Sequence, residues 1–300
     1  MLVIARRLVF GLVLSFLTSF YAITVSGCTS VPAKETGGAD VRKAYIDKIS
    51  LHSNALKKDM NVNVFLPEGY STDKRYPVLY LLHGREGNEN TWIKDMDVSN
   101  KATALIRDKK INPLIIVMPN YDNSYGINYS EETYSKDGRQ YGLYEDYLMK
   151  ELIGHIDARY STIESKEGRY IGGISMGGFT ALFLAFTHQD LFSKAGGHSP
   201  AMFMDSTDKL NWLFKDEDMR KRTDPLYLVD EVDLKHLRLY LDYGDHDMKH
   251  VIDSTNQLYG KLKNKGVDVK FRTSPGGHDK NYWKANTDDY LMFYAGAQGS

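Results

Sequence analysis

The chain has 300 residues, of which 42% are hydrophobic and 26% charged, and a formal net charge of −1 at pH 7. That length suffices to bury the core of one large domain, and the near-neutral balance without a basic block gives no sign of a nucleic-acid or anionic-membrane partner. Cys28 is the only cysteine, so no disulfide can form within the chain.

In chain order, Arg6 and Arg7 precede an uncharged apolar run from Leu8 to Val25. Such a segment is a signal peptide or an anchor. Val25-Ser-Gly-Cys28 resembles the lipobox of bacterial lipoproteins, which implies cleavage after residue 27 and lipidation of Cys28. The membrane partner is then reached through that lipid alone. Thr29 after the cysteine points to the outer membrane rather than the inner, with a periplasmic location as the alternative. The organisation expected is a lipoprotein signal peptide at 1–27, a flexible tether at 28–42 and one catalytic domain at 43–300.

Apolar alternation at 44–51 and 60–66 predicts an antiparallel lead-in hairpin. The continuous apolar runs 77–82 and 113–118 predict buried central strands, with a helix over 98–108 between them. Residues 143–159 carry a helical apolar stripe. Shorter strands are expected at 191–198, 237–241 and 267–271, and helices at 248–264 and 279–294. Residues 201–235 read as an irregular insertion with some helix. Strands alternating with helices imply an α/β class, a mostly parallel sheet with helices on both faces.

The most informative segment is Gly-Gly-Ile-Ser-Met-Gly-Gly, residues 172–178. It joins a strand ending in Arg169-Tyr-Ile171 to the apolar helix starting at Phe179. A serine between Gly173 and Gly177 at such a junction is the nucleophile-elbow pattern. A sharp turn lifts the hydroxyl clear of the sheet and brings the flanking residues too close for side chains.

A serine nucleophile needs a base and a group to orient it, in the order serine, acid, histidine. Asp242, Asp245 and Asp247 cluster in one segment, where Asp247 is favoured as the acid and Asp245 is the alternative. His278, in a glycine-rich loop after the last strand, is the expected base. His198 at the end of a neighbouring strand is a rival. His246 and His250 stand four apart, a weak zinc pattern. The oxyanion donors expected are the backbone amides of Met176 and of Arg85, with His83 buried beside the Arg85 loop. The tyrosines at 121, 125, 129, 134, 141 and 144 suggest a substrate wall in a long connection.

Leu81-Leu-His-Gly84 with Trp92, Gly173-Ile-Ser-Met-Gly-Gly178, Gly244-Asp-His-Asp247, and Gly276-Gly-His-Asp279 with Trp283 together resemble the esterase D family. This is a branch of the α/β-hydrolases that includes feruloyl and acetylxylan esterases, S-formylglutathione hydrolase, siderophore esterases and the antigen 85 mycolyltransferases. The resemblance spans roughly residues 44–296. It implies an eight-stranded sheet, no metal and no cofactor, the triad Ser175, Asp247 and His278, and oxyanion donors at Arg85 and Met176. The activity it implies is a serine carboxylesterase acting on a small-molecule or carbohydrate ester, feruloyl or acetyl. An export signal favours that over the cytosolic S-formylglutathione hydrolase. An acyltransferase or a siderophore or short-chain ester hydrolase on the same residues stays open, and a non-enzymatic surface binding protein is the reading that an intact triad argues against.

Overall fold

The computed structural model describes residues 42–129, 142–206 and 209–296. The expected leader, Cys28 and nearly all of the tether lie outside these residues.

Eight strands form one sheet: β1 Tyr45–Ser53, β2 Lys58–Leu66, β3 Val78–Leu82, β4 Ile115–Pro119, β5 Arg169–Ile174, β6 Lys194–His198, β7 Arg238–Gly244 and β8 Asp268–Ser274. Their spatial order is β1-β2-β4-β3-β5-β6-β7-β8. The lead-in hairpin is antiparallel, β2 runs against β4, and every pairing from β4 onward is parallel.

The runs in β3 and β4 are apolar without alternation because both faces of the sheet are covered. Successive residues feed opposite cores. Val78, Tyr80 and Leu82 join Ile115 and Val117 in one cluster, while Leu79 and Leu81 join Ile116 and Met118 in the other. The first face is packed by helices α2 Ile153–Arg159, α3 Met176–Thr187, α5 Pro225–Glu231 and α6 Lys249–Asn264, and the second by α1 Val98–Arg107 and α7 Lys280–Ala295. Every residue of α3 from Met176 to Phe186 is buried, as an all-apolar helix between layers must be.

One stretch differs from the sequence reading, and the expected partly helical insertion takes definite form in a second. The helix expected at 143–159 opens with Tyr144–Asp146, widens into a π-helical segment at Tyr147–Leu152 and only then becomes α2. Within the wide turns the Glu151 carboxylate accepts from Ser53 Oγ at 2.5 Å and Ala55 N at 3.0 Å, tying the helix to the β1–β2 turn. The stretch 201–235 contains two short helices, α4 Glu217–Thr223 and α5, each started by an aspartate. Asp216 caps the first by accepting from Met219 N, and Asp224 caps the second, with Pro225 in the first turn. Arg220, itself buried, pairs with Asp224 at 3.1 Å.

Among the described residues no helix is long and apolar enough to cross a membrane.

Candidate active site

Ser175 occupies the turn between β5 and α3 with φ 52° and ψ −116°, a strained conformation for any residue with a side chain. Neighbours hold it there. Its N–H donates to His198 O at 2.9 Å, and its own carbonyl accepts from Ala201 N at 3.0 Å. The flanking glycines are required by backbone approach. A Cβ on Gly173 would lie 2.4 Å from the Gly177 carbonyl carbon, and one on Gly177 would lie 2.4 Å from Leu82 O.

His278 reaches Ser175 from a loop 103 residues downstream. Its Nε2 lies 2.8 Å from Ser175 Oγ, and its Nδ1 lies 2.8 Å from Asp247 Oδ1. With Nδ1–H donating to the carboxylate, Nε2 is left to accept the serine proton. The Asp247 side chain is wholly buried and that of His278 13% exposed. Burial alone would raise the Asp247 pKa, but hydrogen bonding to His278, helped by the polar side chain of the nearby Ser199, outweighs it and holds the carboxyl below its ordinary value. Trp283 sets its ring edge-on to the imidazole, with centroids 5.1 Å apart.

The other carboxylates of the cluster have separate work. Asp245 Oδ1 meets His246 Nδ1 at 2.6 Å and accepts from Gly276 N at 3.1 Å, which braces the loop carrying His278. Asp242 is buried within β7, where it meets His198 Nδ1 at 2.7 Å and accepts from the hydroxyls of Tyr282 and Tyr290. His198 is therefore held in that buried network, stacked 3.6 Å from the Tyr290 ring, and not turned to the serine hydroxyl. His246 and His250 do not converge: His246 turns to Asp245, and His250 lies flat on Phe203 with centroids 4.8 Å apart. Among the described residues no group of three or more His, Cys, Asp or Glu side chains is placed to hold a metal ion.

Gly84 and Arg85 follow β3 on the opposite side of Ser175 and line the same cavity. His83 secures this loop. Its Nε2 accepts from Tyr121 N at 3.4 Å, its Nδ1 lies 2.8 Å from Gly84 O, and its carbonyl accepts from Tyr121 Oη at 2.7 Å. Burial pushes the imidazole pKa down, so it stays neutral, with Nδ1–H as the donor to Gly84 O. Trp92 Nε1 donates to Leu82 O at 3.0 Å from beneath. Met176, at the start of α3, carries the amide directly after the nucleophile. The Arg85 side chain is exposed to solvent.

The serine opens into a cavity of about 840 Å³. One wall is aromatic. Trp212 meets Tyr125 edge-on at 5.8 Å and Phe203 edge-on at 5.1 Å. The lining also includes the polar side chains of Asn88, Asn90, Lys94 and Lys280. The expected tyrosine wall is largely corrected. Tyr121 and Tyr144 are fully buried, with the Tyr144 hydroxyl donating to Asp122, and the Tyr129 hydroxyl donates to Leu213 O. Of the described members only Tyr125 lines the cavity, and Tyr134 and Tyr141 lie outside the described residues. Phe203, Trp212 and His250 were not singled out as wall residues from the sequence. They sit in the irregular stretch and at the start of α6, where no periodicity marks a surface as concave.

A strand–serine–helix elbow on this sheet order, with a histidine and an aspartate delivered from loops after β8 and β7, defines an α/β-hydrolase fold. The chain belongs to the "Putative esterase" family, whose model matches residues 53–294. It is 31% identical over 183 residues to an endo-1,4-beta-xylanase/feruloyl esterase from Xylanibacter ruminicola, a match covering 58% of this chain but only 24% of that longer protein. It is 24% identical over 267 residues to an acetyl esterase from Caldicellulosiruptor saccharolyticus, covering 79% of this chain and 93% of that one. A ferulic acid esterase structure superposes with a TM-score of 0.71 at 27% identity, covering 84% of this chain and 98% of that one.

Proposed function

We propose that the protein is a serine carboxylesterase that works through an acyl-enzyme, with Ser175 as nucleophile, His278 as base and Asp247 as the orienting acid. The observation that carries this reading is the 2.8 Å contact between His278 Nε2 and Ser175 Oγ at the floor of an open cavity. Ser175 Oγ attacks the ester carbonyl carbon as its proton passes to Nε2. The carbonyl oxygen gains the negative charge and faces the amides of Arg85 and Met176, each such donor contributing about 3–4 kcal/mol to the transition state. Collapse expels the alcohol, which takes the proton from Nε2. Water then repeats the sequence on the acyl-enzyme, and the acid leaves.

The substrate class is an aromatic acyl group esterified to a carbohydrate. The Phe203–Trp212–Tyr125 wall supports it, since flat rings offer edge and face contacts to a phenolic acyl group. The feruloyl esterase relatives support it as well. The amide and ammonium groups of Asn88, Asn90, Lys94 and Lys280 suit the hydroxyls of a sugar alcohol. With Phe203→Ala, the ratio of kcat/KM for methyl ferulate to that for 4-nitrophenyl acetate falls about tenfold, the size of one lost aromatic contact. No change in that ratio, or no turnover of methyl ferulate by the unaltered protein, ends the aromatic-acyl reading.

Val25-Ser-Gly-Cys28 supports export and lipidation at Cys28, most simply at the outer membrane. Cells expressing the full chain and fed radiolabelled palmitate then label it, and Cys28→Ala abolishes the label and releases the protein from the membrane fraction. Undiminished labelling of that variant would show that the lipid is elsewhere.

A further inference from the structure

Residues 198 and 199 tie the nucleophile's turn to β7, the strand that leads into the turn carrying Asp247. His198 O accepts the Ser175 amide proton, and the Ser199 amide donates to Asp242 O at 2.8 Å. Ser199 is completely buried and sits at φ 49°, where a residue with a Cβ is strained and glycine would not be. Its hydroxyl has no hydrogen-bond partner. Neither has Asp247 Oδ2, although Oδ1 of the same carboxylate meets both His278 Nδ1 and Met248 N. The two orphaned groups leave neighbouring strands at the same edge: Ser199 follows His198, which pairs with Asp242 of β7, and Asp247 lies in the turn whose amide closes on Gly244 O at the end of β7. The downward pull of Ser199 on the Asp247 carboxyl agrees with that placement. A buried carboxylate oxygen left bare is costly, and a hydroxyl turning about one bond supplies the missing donor.

We infer that Ser199 is a positioning residue whose hydroxyl donates to Asp247 Oδ2, fixing the plane of the carboxylate that aims the His278 imidazole at Ser175. The inference rests on the esterase reading above. It explains why a strained serine stands where glycine would relax the backbone. Ser199 does not line the cavity, so its effect falls on turnover and not on substrate binding.

The test compares Ser199→Ala, which keeps the strained backbone and removes the hydroxyl, with Ser199→Gly, which removes both. Hydrolysis of 4-nitrophenyl acetate is followed across pH, with thermal melting in parallel. Both variants are expected to lose about 5- to 50-fold in kcat with KM held, the scale of one lost buried donor. The acid limb of kcat/KM moves to higher pH in both, because a carboxylate stripped of that donor holds the imidazole proton more firmly. Ser199→Gly melts no lower than the unaltered protein. Unchanged kcat and pH profile in both variants overturns the inference, and so does recovery of full turnover in Ser199→Gly, which would trace the loss to backbone strain. A parallel fall in kcat and melting temperature, without a pH shift, overturns it too, as the mark of a packing role. If the unaltered protein neither hydrolyses the ester nor reacts with a fluorophosphonate, the esterase reading itself fails. An active, labelled protein with indifferent Ser199 variants removes only the inference drawn here.

Discussion

Ser175→Ala lowers ester turnover by about 10³–10⁶-fold while leaving the fold and the melting temperature nearly unchanged. The size follows from what is lost. Among the described residues lining the cavity, no other nucleophile stands in hydrogen-bond contact with an oriented imidazole, so the acyl-enzyme cannot form. The residual rate is then set by water attack on a carbonyl still polarised by the proposed oxyanion donors, the Arg85 and Met176 amides. The fold survives because the hydroxyl's partner is His278 Nε2, and the elbow is held by the Ser175 amide and carbonyl, which alanine keeps. Circular dichroism, a melting curve and fluorophosphonate labelling complete the measurement. Labelling of the alanine variant at the original rate would move the nucleophile elsewhere and remove the mechanism.

Asp247→Asn is expected to cost about 10²–10⁴-fold in kcat, against less than about tenfold for Asp245→Asn. The asparagine amide offers His278 Nδ1 an N–H where a lone pair stood, which favours the tautomer with its proton on Nε2. That tautomer cannot accept the serine proton. It also leaves the developing imidazolium without a counter-charge at 2.8 Å. Asp245 is exposed and acts on the loop backbone through Gly276 N, so its loss loosens the histidine loop without changing the tautomer. The pH profile separates these effects further. The Asp247 carboxyl is held below its ordinary value, so it remains ionised down to more acidic pH than a free aspartate. The loss of activity on acidification therefore does not come from protonation of Asp247 in the range of a free aspartate, and Asp247→Asn lowers the plateau instead of shifting a carboxylate limb. Equal losses in the two variants would show that the acid is shared or misassigned.

The elbow was legible because its chemistry is local. A strand, two glycines two residues either side of a serine, and an apolar helix occupy one short stretch of chain, and each constrains backbone geometry at its own position. Asp242, Asp245 and Asp247 were distinguishable only in part, since all three lie within six residues and the difference is which way each side chain leaves the turn. Only packing places Asp242 among Tyr282, Tyr290 and His198, and turns Asp245 to the loop backbone. The tyrosine-rich connection misled because aromatic residues bury large areas wherever they can, and hydroxyls such as that of Tyr121 find a backbone carbonyl inside. The caps at Asp216 and Asp224 were not singled out in the sequence, because an aspartate in a stretch without periodicity does not by itself mark a helix start.

By itself the order of residues settled the alternation of strands and helices, the turn that presents Ser175, and the short set of groups able to activate it, because these follow from near-neighbour sterics and hydrophobic period. Which histidine meets that serine, which aspartate meets that histidine, and which rings wall the cavity were decided only when β5, β6, β7 and β8 came side by side. Contacts across 103 residues depend on the sheet order and on how each loop leaves its strand, and these are set by the packing of the whole domain.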